Sequence, residues 1–137
     1  ERLGHGTRSA EDPDLVRRLA REGVPLEVAV SSNVALGIVA SVRAHPVPAL
    51  CATGVRCLPC TDDPALFGTD LVREYRLLHE EAGLPLSLLG ALAAAGFEAA
   101  FAEPAVRDRL ASLAAEARLW ASAAPGDRGR ASSSIGE

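Results

Sequence analysis

Val55-Arg56-Cys57-Leu58-Pro59-Cys60-Thr61-Asp62-Asp63-Pro64 is the stretch that decides the fold: a short apolar run ending on two adjacent carboxylates. Side chains alternate faces along a strand, so at its C-terminal mouth consecutive aspartates can address two different targets. Val55 to Cys60 therefore reads as a strand, with Pro59 as a discordant residue because it removes a ladder donor. Toward the N-terminus, Pro25-Leu26-Glu27-Val28-Ala29-Val30 is a second strand, followed by a loop through Asn33 to Gly37. Arg2-Leu3-Gly4-His5-Gly6 reads as a third strand end, with an imidazole between two glycines.

Amphipathic segments separate these runs. Asp12 as N-cap and Pro13 in the first turn start a helix. Leu15, Val16 and Leu19 share its apolar face, Arg17, Arg18 and Arg21 its solvated face, and Gly23 stops it. His45-Pro46-Val47-Pro48-Ala49-Leu50 opens a short helix that ends at Gly54. After the aspartates, Leu71, Val72, Tyr75 and Leu78 mark one helix and Pro85 to Ala95 a second. Val106, Leu110, Leu113, Ala117 and Trp120, spaced by four and three, mark a third. Tyr75, Phe97, Phe101 and Trp120 fall at helical spacing and are expected in the core. Residues 1–121 form the folded part, and the Gly-, Ser- and Arg-rich residues 122–137 are expected to be a disordered tail.

Strands alternating with helices make an α/β fold built from βα units on a parallel sheet. Three units cannot close a barrel, and a parallel sheet needs both faces covered. At 137 residues the chain has the length of one domain or of a piece of a larger one. It begins at Glu1 and contains no Met, as expected of a piece. A net charge of −4 argues against a nucleic-acid partner, which calls for a basic face. All basic residues are Arg, which excludes a Schiff-base or P-loop lysine. No apolar run approaches the roughly 20 residues that span a bilayer, so no membrane partner is expected. A cytoplasmic location with reduced Cys51, Cys57 and Cys60 is the default for a chain without an export signal.

The chain resembles the C-terminal part of the adenosine deaminase family of zinc aminohydrolases, from about Glu1 to Trp120. Three segments carry the likeness: Gly4-His5-Gly6, Ser31-Ser32-Asn33-Val34-Ala35-Leu36-Gly37, and Asp62-Asp63-Pro64-Ala65-Leu66-Phe67-Gly68-Thr69. The resemblance implies the last three βα units of a metal-dependent-hydrolase (β/α)8 TIM barrel, whose sites lie at strand C-termini. It implies that Asp62 ligates Zn2+, that Asp63 contacts the purine ring, and that His5 acts on the attacking water. It assigns no catalytic role to Ser31, Ser32 or Asn33. Hydrolytic loss of the 6-amino group needs a hydroxide nucleophile, which Zn2+ generates by lowering the pKa of water to about 7. Gly4 and Gly6 would let backbone approach the substrate.

The family's His-x-His and His-x-Gly-Glu segments, which supply the other zinc ligands and the proton-shuttling Glu, have no counterpart here. His45 precedes a proline at a helix start and His79 lies on a charged helix; neither has a ligand partner at metal spacing. Adenosine, adenine and aminodeoxyfutalosine are all handled by relatives, and no residue of this chain separates them. The alternatives are an inactive truncated or decayed copy and a self-contained α/β binding module. Asp-Asp-Pro alone also suits a helix N-cap. Cys57 and Cys60 read as a reduced structural pair ahead of a redox or metal pair, and Glu27 as the partner of an Arg.

Overall fold

The computed structural model describes residues 1–124. Three short strands, β1 (Leu3–Gly4), β2 (Leu26–Val28) and β3 (Cys57–Pro59), form one parallel sheet with β2 in the middle. Leu26 pairs with both Leu3 and Cys57, and Glu27 with both Gly4 and Leu58. The α/β reading and the parallel sheet expected from the sequence are thus what is found. The strands are shorter than their apolar runs, because only the central residues find partners.

Helix α1 (Pro13–Glu22) returns the chain from β1 to β2. Asp12 caps it by accepting from the Asp14 and Leu15 amides, and Gly23 ends it at φ 65, where a side chain is disfavoured. Val16 and Leu19 are its buried residues, as the periodicity requires. Helices α2 (Val30–Ala35) and α3 (Val47–Ala52) connect β2 to β3. The segment after β2 departs from expectation: Asn33 lies within a helix and not in a loop. Two of its polar residues have their amides partnered in the helix, Asn33 N with Ala29 O and Ser31 N, at the helix start, with the Glu74 carboxylate. Ser32 and Asn33 are consequently buried.

Pro59 sits inside β3 at no cost to the ladder with β2. Arg56 O and Cys60 N both bond β2, to Leu26 N and Val28 O. Main-chain groups alternate sides along a strand, so the Pro59 nitrogen faces the opposite edge, which has no partner among the described residues. The core behind the sheet holds Leu26, Val28, Val30, Val47, Leu50, Val55, Cys57, Leu78 and Leu84, each at most 3% exposed. A fully buried aliphatic side chain of this kind contributes roughly 1.5–3 kcal/mol.

Beyond β3 come the short α4 (Pro64–Phe67), then α5 (Leu71–Glu80), α6 (Leu86–Glu98) and α7 (Pro104–Ala123). α6 packs against β3 and α7 lies along α6. The crossing is close at Gly90, where an added Cβ would stand 2.6 Å from Ala121 Cβ and 2.9 Å from Ala117 O. α7 covers α6 alone, so its expected apolar face is only partly buried. Two of the aromatics expected in the core are surface residues: Trp120, on the uncovered part of α7, and Phe101, in the link between α6 and α7. Phe101 is 77% exposed with the Arg2 guanidinium 4.2 Å above its ring, and Trp120 is 52% exposed. Helix α7 carries the folded part on to Ala123, past the expected boundary at 121. Of the segment 122–137 expected to be disordered, residues 125–137 lie outside the described residues.

Candidate active site

Parallel strands deliver their C-terminal ends to one side of the sheet, so β1, β2 and β3 place His5, Ser31–Asn33 and Asp62–Asp63 along one rim. His5 Nε2 stands 3.7 Å from Asp62 Oδ2, although the residues are far apart in sequence. Both are about two-fifths exposed, at 46% and 37% of their side chains. Both also have φ 55, the left-handed region, without being glycine. Such residues cost about 1–3 kcal/mol each and persist where surrounding contacts over-determine them.

Those contacts come from helix α2. Ser32 Oγ donates to Asp62 Oδ2 at 2.7 Å, and Asn33 Nδ2 lies 3.3 Å from His5 Nδ1. Gly6 follows His5 at φ 65, and a Cβ there would stand 2.7 Å from Leu26 Cδ2, so only glycine lets the chain turn away over β2. At Gly4 an added Cβ would meet nothing within 4 Å, which leaves space in front of β1. A cavity of about 280 Å3 opens here, lined by Gly4, His5, Glu27, Cys60, Thr61 and Asp62. Glu27 is paired with Arg2 at 2.7 Å, as its place on a strand suggested.

Asp63 points elsewhere. Its Oδ1 accepts from the Leu66 amide at 2.9 Å and caps α4. The cap reading of Asp-Asp-Pro therefore holds for Asp63, while Asp62 faces His5. The two carboxylates do face different targets, but the expected strand alternation is not the reason: β3 ends at Pro59, and the left-handed turn at Asp62 followed by the start of α4 at Asp63 separates them.

The residues that brace this rim were not legible as such. Glu74, on α5, is fully buried; its carboxylate accepts from Ser31 N at 3.1 Å and from Thr69 Oγ1 at 2.7 Å. It ties α2 to the segment after the aspartates. Its signal was in the sequence: Glu74, Tyr75 and Leu78 follow the spacing of one inward helix face, so a carboxylate interrupts an apolar stripe. His45 is 3% exposed, and burial pushes its pKa down to about 4. Its Nδ1 accepts from the Val47 amide at 3.2 Å and its Nε2 lies 3.1 Å from Asn33 Oδ1. Neither it nor His79, whose Nδ1 donates to Leu84 O, approaches Asp62. Cys57 and Cys60 do not act together. Cys57 is hydrogen-bonded with Cys51, which together with burial pushes its thiol up, whereas Cys60 lines the cavity beside Asp62. All three cysteines are free thiols.

Asp62 suits one position of a tetrahedral Zn2+ site: an anionic oxygen at the rim, oriented from behind by a hydroxyl. Among the described residues no three His, Cys, Asp or Glu side chains group to hold a metal ion. The remaining ligands of such a site would have to come from elsewhere in an intact barrel.

The geometry is that of the rim of a parallel βα array, and known proteins share it. The chain superimposes on the crystal structure of adenine deaminase from Arthrobacter aurescens with a TM-score of 0.78 and 35% identity, covering 85% of this chain and 36% of that one. It is therefore a partial α/β array of the barrel type found in metal-dependent hydrolases. Residues 1–117 match the family described as Adenosine deaminase, and the chain belongs to that family. It is 46% identical to an adenine deaminase from Chelativorans sp. (strain BNC1) over 109 residues, covering 80% of this chain and 34% of that protein. An aminodeoxyfutalosine deaminase from Streptomyces coelicolor (strain ATCC BAA-471 / A3(2) / M145) is 41% identical over 111 residues, covering 81% and 29%. The chain thus spans about a third of the length of the curated relatives it matches.

Proposed function

We propose that this chain supplies the C-terminal part of the active site of a hydrolytic deaminase acting on a 6-aminopurine, with the free base adenine as substrate. The observation that carries this reading is the convergence of His5 and Asp62 at 3.7 Å on the rim, both in a conformation that non-glycine residues rarely adopt. The adenine deaminases among its relatives favour the base over a nucleoside such as adenosine. In the reaction water adds to C6, the C6–N bond breaks, and ammonia and hypoxanthine leave.

Asp62 would hold Zn2+ together with ligands from the rest of the barrel, and His5 would orient the attacking water from the side opposite its Asn33 contact. Zn2+ supplies hydroxide near neutral pH by lowering the pKa of water to about 7. Ser32 holds Oδ2 of the Asp62 carboxylate, which would leave Oδ1 for the metal. Asp63 keeps its Oδ1 on the cap of α4 and would offer its second oxygen to a purine ring nitrogen.

The test is ammonia release by the intact protein carrying this chain, with adenine, adenosine and aminodeoxyfutalosine offered separately. Turnover of adenine with the highest kcat/KM is expected, together with loss of zinc and activity in Asp62→Ala. Absence of turnover on all three rejects the reading, and preference for a nucleoside corrects the substrate. The chain by itself is expected to release no ammonia, because Asp62 is a single ligand of the roughly four that a zinc site uses.

A further inference from the structure

Asn33 occupies the centre of a four-residue polar cluster of which the proposed chemistry uses only His5. It is 2% exposed and meets Thr7 Oγ1 at 2.9 Å, His45 Nε2 at 3.1 Å and His5 Nδ1 at 3.3 Å. The direction of every hydrogen bond in the cluster follows from one fixed donor. The Val47 backbone N–H can only donate, and it does so to His45 Nδ1. A neutral imidazole has one donor and one acceptor nitrogen, so His45 carries its proton on Nε2. The Asn33 atom opposite must then be the carbonyl oxygen, which also receives the Thr7 hydroxyl. With the oxygen committed to two donors, the amide nitrogen faces His5 and donates to Nδ1. That leaves the His5 proton on Nε2, the nitrogen facing Asp62.

We propose that Asn33 is a positioning residue, oriented by His45 and Thr7, that holds neutral His5 as the tautomer protonated on Nε2. His5 therefore presents a hydrogen-bond donor to the rim, and its lone pair is turned inward. The tautomer assignment stands on the cluster alone; its consequence for turnover rests on the deaminase reading above.

The test is long-range 1H–15N correlation on the chain labelled with 15N-histidine, at a pH where His5 is neutral. The expected spectrum shows His5 with a protonated Nε2 and an unprotonated Nδ1. Asn33→Asp keeps an acceptor toward Thr7 and His45 but places an acceptor opposite Nδ1, and it is expected to move the His5 proton to Nδ1. A wild-type spectrum with the proton on Nδ1 overturns the proposal, whether or not the variant folds. So does a folded Asn33→Asp chain whose His5 tautomer is unchanged. In the intact enzyme Asn33→Asp is expected to lower kcat about 10- to 100-fold, the usual cost of disturbing a supporting hydrogen bond, with KM for adenine changed less than about twofold. An enzyme inactive on adenine, adenosine and aminodeoxyfutalosine alike would defeat the deaminase reading while leaving the tautomer measurement intact.

Discussion

At the scale of the residue, Asp63 caps α4 and is proposed to contact the purine as well, and a single substitution separates the cap from the proposed contact. As the N-cap of α4 it needs only a side-chain acceptor, and Asn fills that role as well as Asp. As a partner for a purine ring nitrogen it would need its charge. Asp63→Asn is therefore expected to leave urea unfolding of the chain within about 0.5 kcal/mol of wild type. In the intact enzyme the same change is expected to lower kcat/KM for adenine by roughly 10- to 100-fold, as for a lost hydrogen bond to a charged group. Unchanged kcat/KM would reduce Asp63 to a cap. Asp62 has the opposite character: it caps no helix, its backbone is left-handed, and its oxygen is held by Ser32.

Two predictions belong to the elements. His45 anchors the start of α3 to α2 and is neutral when folded, with a pKa of about 4 against 6.5 when free. The unfolded chain thus binds more protons than the folded chain between those values. The stability this group contributes is full above pH 6.5 and is lost as pH falls toward 4, by up to about 3 kcal/mol. Urea unfolding of wild type and His45→Gln at pH 7 and pH 4 checks this, the variant losing less across the window. Between α6 and α7 the close approach at Gly90 makes the second test. Gly90→Leu would drive a side chain into Ala121 and the Ala117 carbonyl, so the helices must separate. The variant is expected to lose about 1–3 kcal/mol or more by overpacking, with an increase in Trp120 solvent quenching as the readout of where the loss falls. β1 to β3 should be untouched, since none of them borders Gly90 in this crossing.

The molecule as a whole is an open array. β2 is paired on both sides, whereas β1 and β3 each have one edge without a partner among the described residues. Leu3, Leu36 and Ile38 near β1, and Leu71 and Val72 on α5, are large apolar residues at 47–70% exposure. Exposed strand edges and apolar surface of this kind are places where chain pairs with chain. Hydrogen exchange on the chain alone is expected to be slowest at the Leu26 and Cys60 amides, which bond across the sheet, and fast at Gly4, an exposed residue whose N–H faces the free edge of β1. Equal protection of Gly4 would mean that another strand, from a second copy, occupies that edge. Among the described residues no helix is long and apolar enough to cross a membrane, in line with the sequence.

Local chemistry made much of this protein legible without coordinates. Asp12-Pro13 and Gly23 delimit α1 because caps are decided within a few residues. The alternation of strand and helix defined the α/β class, and the spacing of Gly-His-Gly from Asp-Asp defined the rim. The supporting cluster was not legible, because it depends on what parallel pairing brings together. Ser32 and Asn33 looked like loop residues until Glu74, 43 positions away from Ser31, satisfied the helix that buries them. His45 looked like no more than the start of a helix until its imidazole met Asn33 on α2. The exposure of Trp120 likewise depends on how little of α7 is covered, and that of Phe101 on its place in the link between α6 and α7. By itself, then, the sequence determined the three strands and the helices α1, α3, α5, α6 and α7, since those follow from near neighbours, but it did not reveal α2. Only the tertiary structure decided that His5, Asn33, His45 and Asp62 lie in one chain of contacts, since hydrogen-bond direction is set by partners distant in sequence.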